Sequence, residues 1–130
     1  MHIAPYLAAF GLLTVLHSYR VVRLRRKHRV GIGHGGHPEL ERMMRVFGNH
    51  SEYVPMGLIL LFALEYMDAP VVYLHLVGTL LLVGRILHAA ALTKSSSGTP
   101  GRIAGMVLTF VSLALGSIGV LIFSFLGIHR

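Results

Sequence analysis

The stretch Arg42-Met43-Met44-Arg45-Val46-Phe47-Gly48-Asn49-His50-Ser51-Glu52-Tyr53-Val54-Pro55 decides how the chain is read, because it places charged and amide side chains at helical spacing in a sequence otherwise poor in charge. At about 100° per residue, Arg42, Arg45, Asn49 and Glu52 fall within about 80° of one another, with Tyr53 at the edge of that sector. A rise of about 1.5 Å per residue carries Glu52 about 15 Å beyond Arg42, far enough to lie below a headgroup layer. A charge at bilayer depth costs on the order of 2.5–3.5 kcal/mol on insertion scales, so such groups face a protein interior or a wet cavity and mark a site. An unpaired carboxylate at that depth would protonate, and compensation of Glu52 by Arg45, by Arg85 or by a bound cation is expected.

The surrounding sequence supplies the membrane. Of 130 residues, 54% are hydrophobic and 13% charged, against about 25% charged in soluble domains, and the mean hydropathy is +0.67. Met1 to Tyr19, Tyr53 to Leu64, Ala69 to Gly84 and Ile103 to His129 contain no Asp, Glu, Lys or Arg, and a span needs about 20 largely apolar residues. The reading is an all-α membrane protein, a bundle of four transmembrane helices over roughly residues 3 to 27, 40 to 66, 70 to 92 and 103 to 127, forming one domain over residues 1–130. The first run is expected to be a retained helix rather than a signal peptide, since its basic cluster follows the apolar stretch.

The net charge of +7 raises nucleic-acid binding, but the basic residues cluster beside apolar spans, which suits topology and lipid contact instead. Arg20, Arg23, Arg25, Arg26, Lys27 and Arg29 flank the first connection, Lys94 and Arg102 the third, while the second carries Glu65 and Asp68. The positive-inside rule then puts the first and third connections in the cytoplasm and both termini on the opposite side. There is no cysteine, so any thiol chemistry must come from a ligand. His28, His34 and His37 lack the further ligands of a metal centre and are expected to be exposed loop residues, with no metal called for. His17 and His75 are expected to be hydrogen-bonded inside the bundle.

Two further features belong to the later helices. Gly101, Gly105, Thr109, Ser112, Gly116 and Gly119 fall on one face of the fourth, a stripe that suits close packing either within the subunit or between subunits. Arg85 and His88 stand one turn apart on the third. Together the second and third helices offer guanidinium, amide, carboxylate and imidazole groups at overlapping depths. That set suits a zwitterionic ligand with several carboxylates, since guanidinium binds carboxylate bidentately and a carboxylate takes an ammonium group. A purely structural ion-pair network is the competing reading.

The string Arg45-x-x-x-Asn49-x-x-Glu52-x-x-Pro55, with the basic end of helix one from Arg25 to Val30 and Arg85 of helix three, resembles the signature of the MAPEG family, the membrane-associated proteins of eicosanoid and glutathione metabolism. The likeness spans nearly the whole chain and is greatest to the short bacterial members. It implies a homotrimer, in the bacterial inner membrane, binding glutathione between neighbouring subunits as co-substrate, without a metal, for attack on a lipophilic small molecule. Arg45, Asn49, Glu52 and Tyr53 match glutathione-holding positions, Arg25, Arg26 and Arg85 match further basic positions around the pocket, and Arg42 and His88 join them on the same helices. Thiol activation falls to Arg102, matched by location near the start of helix four, or to Arg26. The sequence departs from the well-known animal pattern at His88 and at Leu92, where tyrosines are usual. The implied activity is that of a glutathione transferase or peroxidase; a small four-helix exporter and a non-catalytic scaffold are the alternatives, the former disfavoured by a first helix without a carboxylate.

Overall fold

In the computed structural model, which describes residues 1–125, four helices follow one another: α1, Ala4–His28; α2, Pro38–Tyr66; α3, Val71–Lys94; and α4, Pro100–Phe125. These match the expected spans to within a few residues, apart from the far end of the fourth, which lies outside the described residues. The protein is an all-α membrane bundle. α1, α3 and α4 are each long and apolar enough to cross a bilayer. α2 is 29 residues long, but its polar ladder dilutes its hydropathy. Leu12, Val15, Val72, Ile118 and Leu121 are more than half exposed, as expected of side chains facing lipid rather than water.

The ends of the helices follow from local chemistry. Pro38 occupies the first turn of α2, with Glu39 and Glu41 beside it; proline there loses no helical hydrogen bond and the carboxylates complement the helix dipole. α1 ends where Arg29 turns left-handed at φ 55°, with the Val30 N–H donating to the Arg25 carbonyl at 3.0 Å. Gly35 and Gly36 adopt positive φ of 57° and 77°, a conformation glycine reaches without a Cβ clash. The connection is tied down at both ends: the rings of His28 and His37 stack at 3.9 Å, and the Glu39 carboxylate lies 3.4 Å from the Lys27 ammonium and 3.8 Å from the His28 ring. His28 and His37 are therefore half-buried, unlike the exposed loop histidines expected.

Packing centres on α2 and on the α3–α4 pair. α2 contacts all three other helices, α3 packs most extensively on α4, and α1 meets α3 only along a short line. The small-residue stripe decides the α3–α4 pair. Gly105, Thr109, Ser112, Gly116 and Gly119 are buried within the subunit, and the Ser112 hydroxyl donates to the Val77 carbonyl at 2.8 Å. Close backbone approach brings in dispersion contacts that drive helix association where no hydrophobic effect acts.

Candidate functional site

Two apolar clusters fill the bundle. One gathers Phe10, Val54, Leu61, Leu74 and Leu81; the other, toward the basic end, gathers Val21, Leu24, Leu40, Met43, Val46 and Leu92. Between them the buried residues are polar: His17, Asn49, His50, Arg85, His88 and Thr109. The expected intramembrane polar level is therefore present as an inner group, and a separate, outer polar cavity lies beside the second cluster, at the starts of α2 and α4.

Arg85 anchors the inner group. It is 2% exposed; its Nη1 donates to Thr109 Oγ1 on α4 at 3.4 Å, and its guanidinium carbon lies 5.5 Å from the centroid of the Tyr53 ring on α2. Thr109 can accept because its own hydroxyl proton goes to the Gly105 carbonyl at 2.7 Å. Tyr53 in turn meets Phe110 edge-on at 5.8 Å. A guanidinium in this setting is held by one hydroxyl, the Met106 sulfur at 3.8 Å and one aromatic face, with no carboxylate within ion-pair distance among the described residues. Its Nε has no hydrogen-bond partner, nor has either ring nitrogen of His88, which is buried one turn along α3. Replacing Thr109 by valine removes the acceptor without changing shape, and is expected to cost about 1–2 kcal/mol in thermal unfolding of the detergent-solubilised protein. Unchanged stability would mean that this hydroxyl does not support Arg85.

The outer cavity, about 230 Å³, is lined by Glu41, Arg42, Arg45, Leu92, Ser96 and Arg102, with Pro38 at its edge. α2 supplies Arg42 and Arg45 one turn apart. The start of α4 supplies Arg102, whose Nη1 donates to the Ser96 carbonyl at 3.0 Å. Asn49 follows Arg45 on the same face, its Nδ2 donating to the Arg45 carbonyl at 3.0 Å. Beyond it Glu52 is exposed.

The expected compensation of Glu52 does not occur within the subunit. The ion pairs among the described residues join the chain's amino group to Glu65 and Lys27 and His28 to Glu39, so neither Arg45 nor Arg85 bridges Glu52. A self-neutralising network of the second and third helices is likewise absent among the described residues. The remaining candidates lie apart: Arg25 donates to the Gly31 carbonyl at 3.0 Å and lines a different cavity with Met44, Phe47 and Gly48, while Arg26 is exposed on the last turn of α1.

Sequence reasoning missed Thr109 as the partner of Arg85 and Glu41 as the carboxylate in the cavity. The first was visible only as a member of the small-residue stripe. It also missed the pairing of His50 Nε2 with Thr14 Oγ1 at 2.9 Å. His75 does hydrogen-bond within the bundle, its Nδ1 lying 3.0 Å from the Tyr6 hydroxyl. His17 differs from expectation: it packs edge-on against His50 at 5.2 Å, and its Nδ1 has no partner.

An all-α membrane bundle carrying guanidinium, amide and imidazole groups between its apolar layers is the class that fold and site define. The chain belongs to the MAPEG family, which its residues 3–122 match. It is also similar to the inner membrane protein YecN of Escherichia coli, in strain K12 and in strain O6:H1, at 39% identity over 85 residues in each case. The matched region is 65% of this chain and 65% of those relatives, just under two thirds of their length.

Proposed function

We propose that the protein is a glutathione-dependent transferase or peroxidase of the inner membrane, activating the glutathione thiol for attack on lipophilic electrophiles or hydroperoxides. The observation that carries this reading is the convergence of Arg42, Arg45 and Arg102 on one cavity without a matching set of carboxylates, at the foot of a ladder that continues through Asn49 to Glu52. Uncompensated guanidinium groups suit the two carboxylates of glutathione, and the exposed Glu52 suits its ammonium group. The relatives named as inner membrane proteins support the location. The first and third connections face the cytoplasm, where glutathione enters, and both termini lie opposite.

The chemistry belongs to the ligand's sulfur, since the chain has no cysteine. A fixed guanidinium favours the ionised thiol and lowers its pKa. The thiolate attacks the electrophilic carbon, a carbon–sulfur bond forms, and the leaving group departs with its electron pair. With a hydroperoxide, two glutathione molecules yield the disulfide, an alcohol and water. Arg102 is the thiol-activating residue in this reading because it shares the cavity of Arg42 and Arg45. Arg25, Arg26 and Tyr53 serve the site across the boundary between subunits of a homotrimer, with Arg85 and His88 supporting it from behind.

Ultraviolet absorbance of the bound thiolate against pH tests the assignment. Arg102→Ala is expected to raise the thiol pKa by on the order of one unit, and Arg26→Ala to leave it in place. The reverse pattern moves the role to Arg26; no shift in either removes it from both. Turnover of chlorodinitrobenzene with glutathione separates an enzyme from a scaffold.

A further inference from the structure

Arg20 and Arg23 take no part in the cavity of Arg42, Arg45 and Arg102 on its α4 side. They line another, of about 420 Å³, on the α1 side of α2, together with Leu24, Arg42, Met43 and Thr93. Glu39 also borders it, but its carboxylate is paired with Lys27 and His28. Among the described residues no carboxylate lies within ion-pair distance of Arg20, Arg23 or Arg42, and the buried Nε of Arg42 has no partner. The result is a cup of guanidinium groups at the basic end of the bundle, open because α1 and α3 meet only along a short line.

The cup does not stand alone. A second cavity, about 320 Å³, runs from it along the α1–α3 seam and shares Arg20 and Thr93. Its walls are Leu13, His17, Ile86, Ala89 and Ala90, with Lys94 at the mouth, and its lining is mostly apolar. The Thr93 hydroxyl is already committed to the Ala89 carbonyl at 2.7 Å, so between Arg20 and Lys94 the seam offers a passing chain hydrocarbon and, at His17, one imidazole ring. A cationic recess continuous with an apolar channel on a lipid-facing surface has the two-part chemistry of one ligand class.

We infer that the α1–α3 seam is a binding site for an anionic phospholipid, its phosphate held by Arg20, Arg23 and Arg42 and one acyl chain lying against Leu13, Ile86, Ala89 and Ala90. Basic recesses between membrane helices recognise acidic head groups because guanidinium pairs bidentately with phosphate in a region of reduced dielectric. The small side chains of Ala89 and Ala90 leave the width that an acyl chain needs. This site is separate from the proposed glutathione cavity, sharing only Arg42, which the test therefore leaves intact.

Native mass spectrometry of the full-length protein in detergent, incubated with equimolar dioleoylphosphatidylglycerol and dioleoylphosphatidylcholine, reads the preference directly. The wild-type protein is expected to retain the glycerol lipid over the choline lipid roughly tenfold. The double substitution Arg20→Gln/Arg23→Gln should bring the ratio near parity, and Arg29→Gln, which removes a neighbouring charge outside the cup, should not. Ala90→Phe, which fills the seam and keeps every charge, should reduce retention of the glycerol lipid as well. Parity in the wild-type protein, an unchanged ratio in the double variant, or equal losses in the double and Arg29→Gln variants would overturn the site. Displacement by soluble glycerol phosphate at the same concentration as the lipid would reduce it to an anion site and overturn the acyl-chain half. Glutathione binding is expected to survive Arg20→Gln/Arg23→Gln, so the two readings fail separately.

Discussion

Arg45→Ala and Glu52→Ala are each expected to weaken the proposed glutathione binding roughly a hundredfold, measured by isothermal titration on the purified protein, while the proposed homotrimer persists. The size rests on the burial that the proposed homotrimer boundary would give the site: removing one member of a buried charge pair and leaving the other desolvated without a partner costs about 2–5 kcal/mol. Both side chains are exposed on the isolated subunit and neither belongs to its apolar clusters, so their loss removes no packing and the helices should stay assembled. Undiminished affinity in both variants would refute the assignment of the ladder to glutathione. Loss of the oligomer along with affinity would instead place these residues at a structural contact.

The second large effect concerns the α3–α4 crossing. Gly105→Leu is expected to abolish folding, and Gly105→Ala to lower the thermal midpoint in detergent by an amount equivalent to about 1–3 kcal/mol. A Cβ at Gly105 would lie 2.6 Å from the His88 backbone nitrogen and 2.7 Å from the Gly84 carbonyl oxygen, and backbone cannot rotate aside as a long side chain can. Gly84 faces the same crossing, its Cβ position 2.9 Å from the Gly105 carbonyl oxygen. Separating these backbones would also pull Thr109 from Arg85, so the substitution should disturb the polar level it supports. Gly11, with nothing within 4 Å of its Cβ position, is the control: Gly11→Ala should stabilise by about 0.4–1 kcal/mol through helix propensity. Equal behaviour of the Gly105 and Gly11 alanine variants would show that the crossing is looser than its geometry states.

The ladder from Arg42 to Glu52 was legible because helical periodicity fixes which side chains share a face before any tertiary contact forms. The four spans were legible for a similar reason: a bilayer requires long apolar helices with their backbone hydrogen bonds closed internally, and both demands leave their mark in composition. The family signature between Arg45 and Pro55 is equally local. Partners across helices were not legible, because they depend on rotation and crossing of elements distant in sequence. Thr109 lies 24 positions from Arg85, and nothing in either residue's neighbourhood announces the other.

The chain's sequence therefore determined a charge-poor membrane bundle, the polar face of α2 and the small-residue face of α4, since each follows from local spacing and solvent preference. The tertiary structure alone decided that the α4 stripe meets α3 within the subunit, and that Arg102 rather than Arg26 joins Arg42 and Arg45. It also decided that Glu52 remains unpaired by Arg45 or Arg85. Those outcomes depend on how closely the helices approach and how they are rotated about their axes, and at the α3–α4 crossing close packing through glycine sets both.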